Sequence, residues 1–171
     1  MGLFGTSAAM SMFDLAPNKG TSGDDPSDDL QKKEFTASAH EISGTQNADT
    51  FYLSGTAMGY GDKGADTIDV TDSAIAYGEN GFDTIIADKT SIIYGGNGAD
   101  SLTAYENARA YGGDNGDVMF SDAFASSHGG AGDDTITALG QSWGDDGDDQ
   151  FSIDLGGNAA VAVFGLSLIH I

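Results

Sequence analysis

Asp49, Asp66, Asp83, Asp100, Asp117 and Asp134 recur at a constant spacing of seventeen residues, and Asp149 follows after a step of fifteen. Each stands at the same place in a repeated phrase that opens on Gly44, Gly61, Gly78, Gly95, Gly112, Gly129 or Gly144. A chain that repeats itself in register folds as one structural unit per repeat, each unit stacked on the next. Most globular architectures are excluded at once, because stacking turns every position of the repeat into a column. The Asp column then delivers one carboxylate per coil.

The other columns say how a coil is built. Counting the opening Gly as position 1, position 4 is Asn47, Gly64, Gly81, Gly98, Asn115, Gly132 and Gly147. Gly and Asn are the residues that tolerate a left-handed backbone, which predicts a tight turn there. Position 8 is always large and apolar (Phe51, Ile68, Ile85, Leu102, Met119, Ile136, Phe151), and the residue two further on follows it inward by strand alternation. A second short strand per coil (SAIAYG, SIIYG, ARAYG, ASSHG) has small inward residues such as Ala74, Ala76, Ala108 and Ala110, predicting a thin core. Before each opening Gly from Gly61 onward stands Tyr60, Tyr77, Tyr94, Tyr111, His128 or Trp143. With coils about 4.8 Å apart these rings can stack as a ladder along one edge. The expected fold is all-β: a parallel β-solenoid, of the β-roll or β-helix kind, with about seven coils forming a rod roughly 34 Å long.

Charge narrows the partners. Six Lys and Arg against 27 Asp and Glu give a net charge of −21. Such a chain repels nucleic acid and anionic membrane and attracts cations. It has no Cys, hence no disulfides and no thiolate metal site. No run of 18 apolar residues is present to span a bilayer.

Residues 1–16 (MGLFGTSAAMSMFDLA) form an apolar arm without the basic start of a cleaved secretory signal. Residues 17–34, rich in Gly, Ser, Asp and Pro, read as a flexible acidic linker. The repeats occupy residues 35–155, and residues 156–171 read as a capping strand and tail.

The repeat resembles the nonapeptide G-G-x-G-x-D-x-U-x of calcium-binding RTX proteins, the hemolysin-type repeat. The likeness is strong in GGNGADSL from Gly95 and GGAGDDTI from Gly129, and weaker in GTQNADTF from Gly44. It implies that backbone carbonyls and the Asp carboxylates of successive loops hold Ca²⁺ between coils. Calcium takes six to eight oxygens, more than one loop or one Asp offers. Asp49, Asp66, Asp83, Asp100, Asp117, Asp134 and Asp149 are therefore the expected metal ligands, with Asp62, Glu79, Asp114, Asp145 and Asp146 as further candidates. The other turn of each coil, near residues 71–73, 89–91, 106–108 and 123–125, has no such loop. One row of ions is expected, with at most six sites between seven coils. The metal-free alternative is that each Asp accepts hydrogen bonds from amides of its own loop.

Catalysis finds no support. There is no H-E-x-x-H or G-x-S-x-G, and His40, His128 and His170 are scattered. The chain is not expected to be an enzyme. The expectation is a secreted, extracellular or cell-surface protein, bacterial in character, whose calcium-dependent solenoid is structural. It would assemble with itself head to tail, the arm docking on the next rod, because exposed strand edges template further pairing. Two alternatives stand beside it. One is a calcium-dependent module of a larger secreted enzyme or adhesin. The other is an ice-binding protein using the outward Thr67, Thr84 and Thr135, although Thr is also simply a good strand residue.

Overall fold

The computed structural model describes residues 32–34, 41–153 and 163–164. The arm (1–16), most of the linker (17–34) and most of the tail (156–171) lie outside the described residues. Every regular element described is a β-strand, and no helix among them is long and apolar enough to cross a membrane.

Two parallel sheets face each other. Sheet A runs in the order β1 (Lys32–Glu34), β3 (Thr50–Leu53), β6 (Thr67–Val70), β8 (Thr84–Ala87), β10 (Ser101–Ala104), β12 (Val118–Ser121), β14 (Thr135–Ala138), β16 (Gln150–Ile153). Sheet B runs in the same sense through β2 (Glu41–Ser43), β4 (Met58–Tyr60), β7 (Ile75–Gly81), β9 (Ile92–Asn97), β11 (Arg109–Asp114), β13 (Ser126–Ala131), β15 (Gln141–Asp146) and β17 (Val163–Phe164). The short β5 (Lys63–Gly64) also pairs with β7. Successive strands alternate between the sheets, so the chain winds as a β-solenoid of about seven coils with a seventeen-residue step.

The inward columns stack in register. Ile68, Ile85, Leu102, Met119 and Ile136 lie strand upon strand and are fully buried, with Val70, Ala87, Ala104 and Ala138 beside them. Sheet B contributes the small Ala76, Ala110, Ser127 and Ser142, and two large residues, Ile42 and Ile93. Near the C-terminal coils the core turns polar. Ser121, Ser127 and Ser142 satisfy one another there, with Ser127 Oγ and Ser142 Oγ 2.8 Å apart. Buried hydroxyls cost little once paired in this way.

The fifteen-residue step is absorbed in a turn. Four residues separate β12 from β13, and two separate β14 from β15. Both strands of the shortened coil therefore keep their register, Ser126 opposite Gln141 and Thr135 opposite Gln150. An odd deletion within a strand would have turned its inward side chains to solvent.

A buried carboxylate row and its candidate cation sites

The seven Asp side chains stand where the chain leaves sheet B and enters sheet A, and they point inward. All are buried, at 1–2% exposure. Their oxygens are divided between two roles. One accepts an amide from the coil before: Asp49 N–H donates to Asp66 Oδ1 at 2.7 Å, Asp66 N–H to Asp83 Oδ1 at 2.8 Å, and Asp83 N–H to Asp100 Oδ1 at 2.8 Å. The series continues through Asp117 and Asp134 to Asp149 Oδ1 at 3.0 Å. These bonds cross between coils, whereas the metal-free expectation placed them within each loop. Among the described residues Asp49 alone is bonded within its own loop, accepting Thr45 N–H on Oδ2 at 2.6 Å in place of a coil-crossing amide.

The second oxygen of each carboxylate is buried without a hydrogen-bond partner among the described residues: Asp49 Oδ1, and Oδ2 of Asp66, Asp83, Asp100, Asp117, Asp134 and Asp149. Its surroundings explain the invariant opening glycine. A methyl group on Gly78 would collide with Asp83 Oδ2, and it would lie 2.6 Å from the carbonyl oxygen of Gly95. The same pairing of the unpartnered oxygen with the next coil's glycyl carbonyl recurs at Gly61, Gly95, Gly112 and Gly129, whereas at Gly44 the nearby carboxylate oxygen is Asp49 Oδ2, already engaged by Thr45 N–H. From Gly61 to Gly129 each step between coils thus brings an unpartnered carboxylate oxygen and a backbone carbonyl oxygen to one side of a glycine.

Burial dominates the acidity of the row. Loss of hydration pushes the Asp66 and Asp117 carboxyls up to about 7 and those of Asp83 and Asp134 up to about 6. The donated amides pull against this, and neighbouring carboxylates of the row add to the rise. Asp100 and Asp149 are raised by burial in the same way. Isolated ionised carboxylates in such a place are costly, so the row calls for protons or for cations.

The further candidates are elsewhere. Glu79, Asp114, Asp145 and Asp146 stand on sheet B and Asp62 just before β5, all half-buried or exposed where the row is buried. Asp62 is close enough to add to the rise of Asp66, and Asp145 to that of Asp134 and Asp149. Asp62, Glu79 and Asp145 have left-handed backbones (φ 75°, 73° and 68°), like Gly96, Gly113 and Gly130 in the same column. The sequence reading missed this turn, whose only signal was Gly alternating with acidic residues at position 2. Position 4 is left-handed at Gly64, Gly98, Asn115, Gly132 and Gly147, as expected there, but neither Asn47 nor Gly81 has a positive φ. Among the described residues no three His, Asp or Glu side chains gather as a metal cluster. Any ion here would draw most of its ligands from backbone carbonyls.

The ring ladder is complete. Tyr60, Tyr77, Tyr94, Tyr111, His128 and Trp143 stack with centroids 4.3–5.2 Å apart and planes within 12° of parallel. His128 Nδ1 also lies 3.2 Å from Asp145 Oδ2. The second turn proved regular too: Gly55, Asp72, Lys89 and Glu106 all adopt positive φ at the same position, and Lys89 Nζ donates to Asp72 Oδ1 at 2.6 Å. Two residues of opposite charge one full coil apart were its legible sign.

No family model matches the chain, and no curated protein or solved structure is significantly similar to it.

Proposed function

We propose that this chain is an acidic, calcium-dependent β-solenoid with a structural role at the cell surface or outside the cell. One observation carries the reading: a buried carboxylate oxygen without a hydrogen-bond partner in each of the seven repeats, which from Asp66 to Asp134 lies beside a glycyl carbonyl of the next coil. Hard oxygen donors of this kind suit Ca²⁺, and a seven-residue anionic row favours a divalent ion over none. Asp49, Asp66, Asp83, Asp100, Asp117, Asp134 and Asp149 would hold the ions, with loop carbonyls completing the shell. Binding energy then becomes folding energy, so the rod would form where calcium is plentiful and loosen where it is scarce.

The test is a calcium titration of the chelator-treated chain, followed by circular dichroism and by calorimetry. Gain of β signal with saturable binding is expected. A β signal that neither grows with calcium nor falls on chelation, with no heat of binding, would overturn the reading.

Assembly is a second part of the same proposal. All strands of a sheet point one way, and among the described residues each sheet ends in a strand edge, β1 and β2 at one end, β16 and β17 at the other. An edge of one rod can therefore pair with the opposite edge of the next, which gives a head-to-tail filament. Electron microscopy in millimolar calcium should show filaments; dispersed monomers would sink this part alone.

A further inference from the structure

The ring ladder is chemically uneven along its length. Four of the chain's six tyrosines form its first part, Tyr60, Tyr77, Tyr94 and Tyr111, before His128 and Trp143 take over. The four hold one register place on successive strands of sheet B, Tyr60 opposite Tyr77, Tyr77 opposite Tyr94 and Tyr94 opposite Tyr111. Their ring centroids are 5.0, 4.8 and 4.9 Å apart. All four are half-buried, so each ring keeps an edge in solvent while the strands fix its base. The other two tyrosines are placed differently. Tyr52 stands between Glu34 and Asp69 on sheet A, and Tyr105 packs on Phe120.

Phenols stacked at one register place are arranged for oxidative coupling. Each phenol gives up one electron and its hydroxyl proton and becomes a phenoxyl radical, whose unpaired spin is shared with the Cε carbons beside the oxygen. Two such radicals join by a Cε–Cε bond. Each ring then moves the hydrogen of its bonded Cε to its own oxygen, which restores both phenols. Hydrogen peroxide, acting through a haem peroxidase, takes up the two electrons and two protons and becomes two waters. Between free tyrosines the joining step waits on diffusion, whereas on the ladder the partner ring is already in place in the same chain. The chain has no Cys, so no disulfide can tie one coil to another. A bond between neighbouring rungs closes a seventeen-residue loop and restrains the unfolded chain much as a disulfide of that span would.

We propose that Tyr60, Tyr77, Tyr94 and Tyr111 form an oxidative cross-linking site, at which a peroxide-driven one-electron oxidant joins neighbouring rungs as dityrosine and staples successive coils covalently. With each ring coupling once, the four give two links at most, Tyr60 to Tyr77 and Tyr94 to Tyr111. The proposal depends on the solenoid stack and is indifferent to which ion fills the carboxylate row.

The test treats the full chain, in millimolar calcium, with a haem peroxidase and hydrogen peroxide. Monomers are isolated on denaturing gels and read by dityrosine fluorescence and by mass spectrometry of their digests. Links between tyrosines one coil apart, formed within monomers and independent of protein concentration, are expected. Two variants each keep four tyrosines and every ring. Tyr77→Phe with Tyr111→Phe leaves no two ladder tyrosines adjacent, and Tyr52→Phe with Tyr105→Phe leaves the ladder whole. Phenylalanine preserves the stack, so both should keep the parent's circular dichroism. The first should lose dityrosine within monomers at least tenfold, and the second should match the parent. Equal yields from the two variants would overturn the proposal, as would links that join chains and grow with concentration. Oxidation that consumes Trp143 and leaves the tyrosines unlinked would overturn it too. The linked monomer should melt about 10 °C above the unoxidised chain. Equal melting would remove the stapling role.

Discussion

Asp100 donates its backbone amide to Asp117 Oδ1 at 2.8 Å, across one full coil, while Asp117 Oδ2 faces the bare backbone of Gly112 and the carbonyl of Gly129. The same side chain thus zips two coils together with one oxygen and leaves the other for a cation or a proton. Structure and binding share a residue, and substitutions can separate them.

Asp117→Ala removes the acceptor and strands the buried Asp100 amide, at a cost of about 1–3 kcal/mol in chelator, and more in calcium because a ligand is lost as well. Asp117→Asn keeps an acceptor, and its amide NH₂ can donate to the Gly129 carbonyl where the carboxylate could not. In chelator at neutral pH the Asn chain should melt at or above the parent temperature, because a buried charge is gone. In calcium it should melt below the parent, having lost a ligand. Equal melting of the Ala and Asn chains in chelator would contradict the amide bond's role.

Acidity should act on the calcium-free rod in a definite sense. The folded carboxyls of Asp66, Asp83, Asp117 and Asp134 titrate at about 6 to 7, above their ordinary value of 3.8. The folded state therefore binds more protons than the unfolded state between these values, and stability falls as pH rises. In chelator the chain should be most stable near pH 4 and weaken steadily until about pH 7, then level off. Calcium should reverse the trend, since protons and ions compete for the same oxygens. Urea midpoints measured at half-unit pH steps, with and without calcium, read this directly; a calcium-free midpoint that rises from about pH 4 to about pH 7 would count against a buried row.

Gly95→Ala should be far worse than an ordinary surface Gly→Ala change. Its methyl would strike Asp100 Oδ2 and crowd the Gly112 carbonyl, both fixed by the stack. Loss of several kcal/mol is expected, of the order seen for overpacked cores. A melting temperature within a degree or two of the parent would mean that the carboxylate lies elsewhere.

Tyr94→Leu leaves the backbone ladder intact and removes two stacked contacts, to Tyr77 at 4.8 Å and to Tyr111 at 4.9 Å. Each such pair is worth about 0.5–1.5 kcal/mol beyond its buried area. A destabilisation of about 1–3 kcal/mol in thermal or urea melts follows, unchanged by calcium, because the ladder runs on the outer face of sheet B, away from the carboxylates.

Much of this fold is written in the periodicity. Every residue pairs with its own position one coil on, so Ile68, Ile85 and Leu102, or Tyr77, Tyr94 and Tyr111, align by spacing alone. Orientation at the corner was less legible. An Asp beside a left-handed Gly can point outward into a loop or inward under it, and no residue pattern separates the two. The coil-to-coil amide bonds of Asp66 and Asp83 exist only because the next coil lies directly above. Nor did composition reveal that Asp62 and Glu79 adopt left-handed backbones, since acidic side chains at position 2 read equally well as ligands.

The register itself can be put to the test by removing a coil. Deleting residues 101–117 joins Asp100 to Val118, and the new chain still presents Gly, Asp and aromatic residues at every expected place, because Asp117 occupies the site of Asp100 one coil on. The strands on either side of the junction were already equivalent, Ser101 pairing with Val118 and Leu102 with Met119. A shortened solenoid with the same β signal per residue and a modestly lower melting temperature is expected, since repeat proteins lose stability roughly one interface at a time. Deleting residues 102–117 instead removes sixteen and leaves Ser101 ahead of Val118. That one-residue slip sends Met119 outward and Val118 inward along β12. This chain should fail to fold cooperatively. Should both deletions melt alike, the stack would not depend on its seventeen-residue register, and the buried carboxylate row that rests on that register would fall with it.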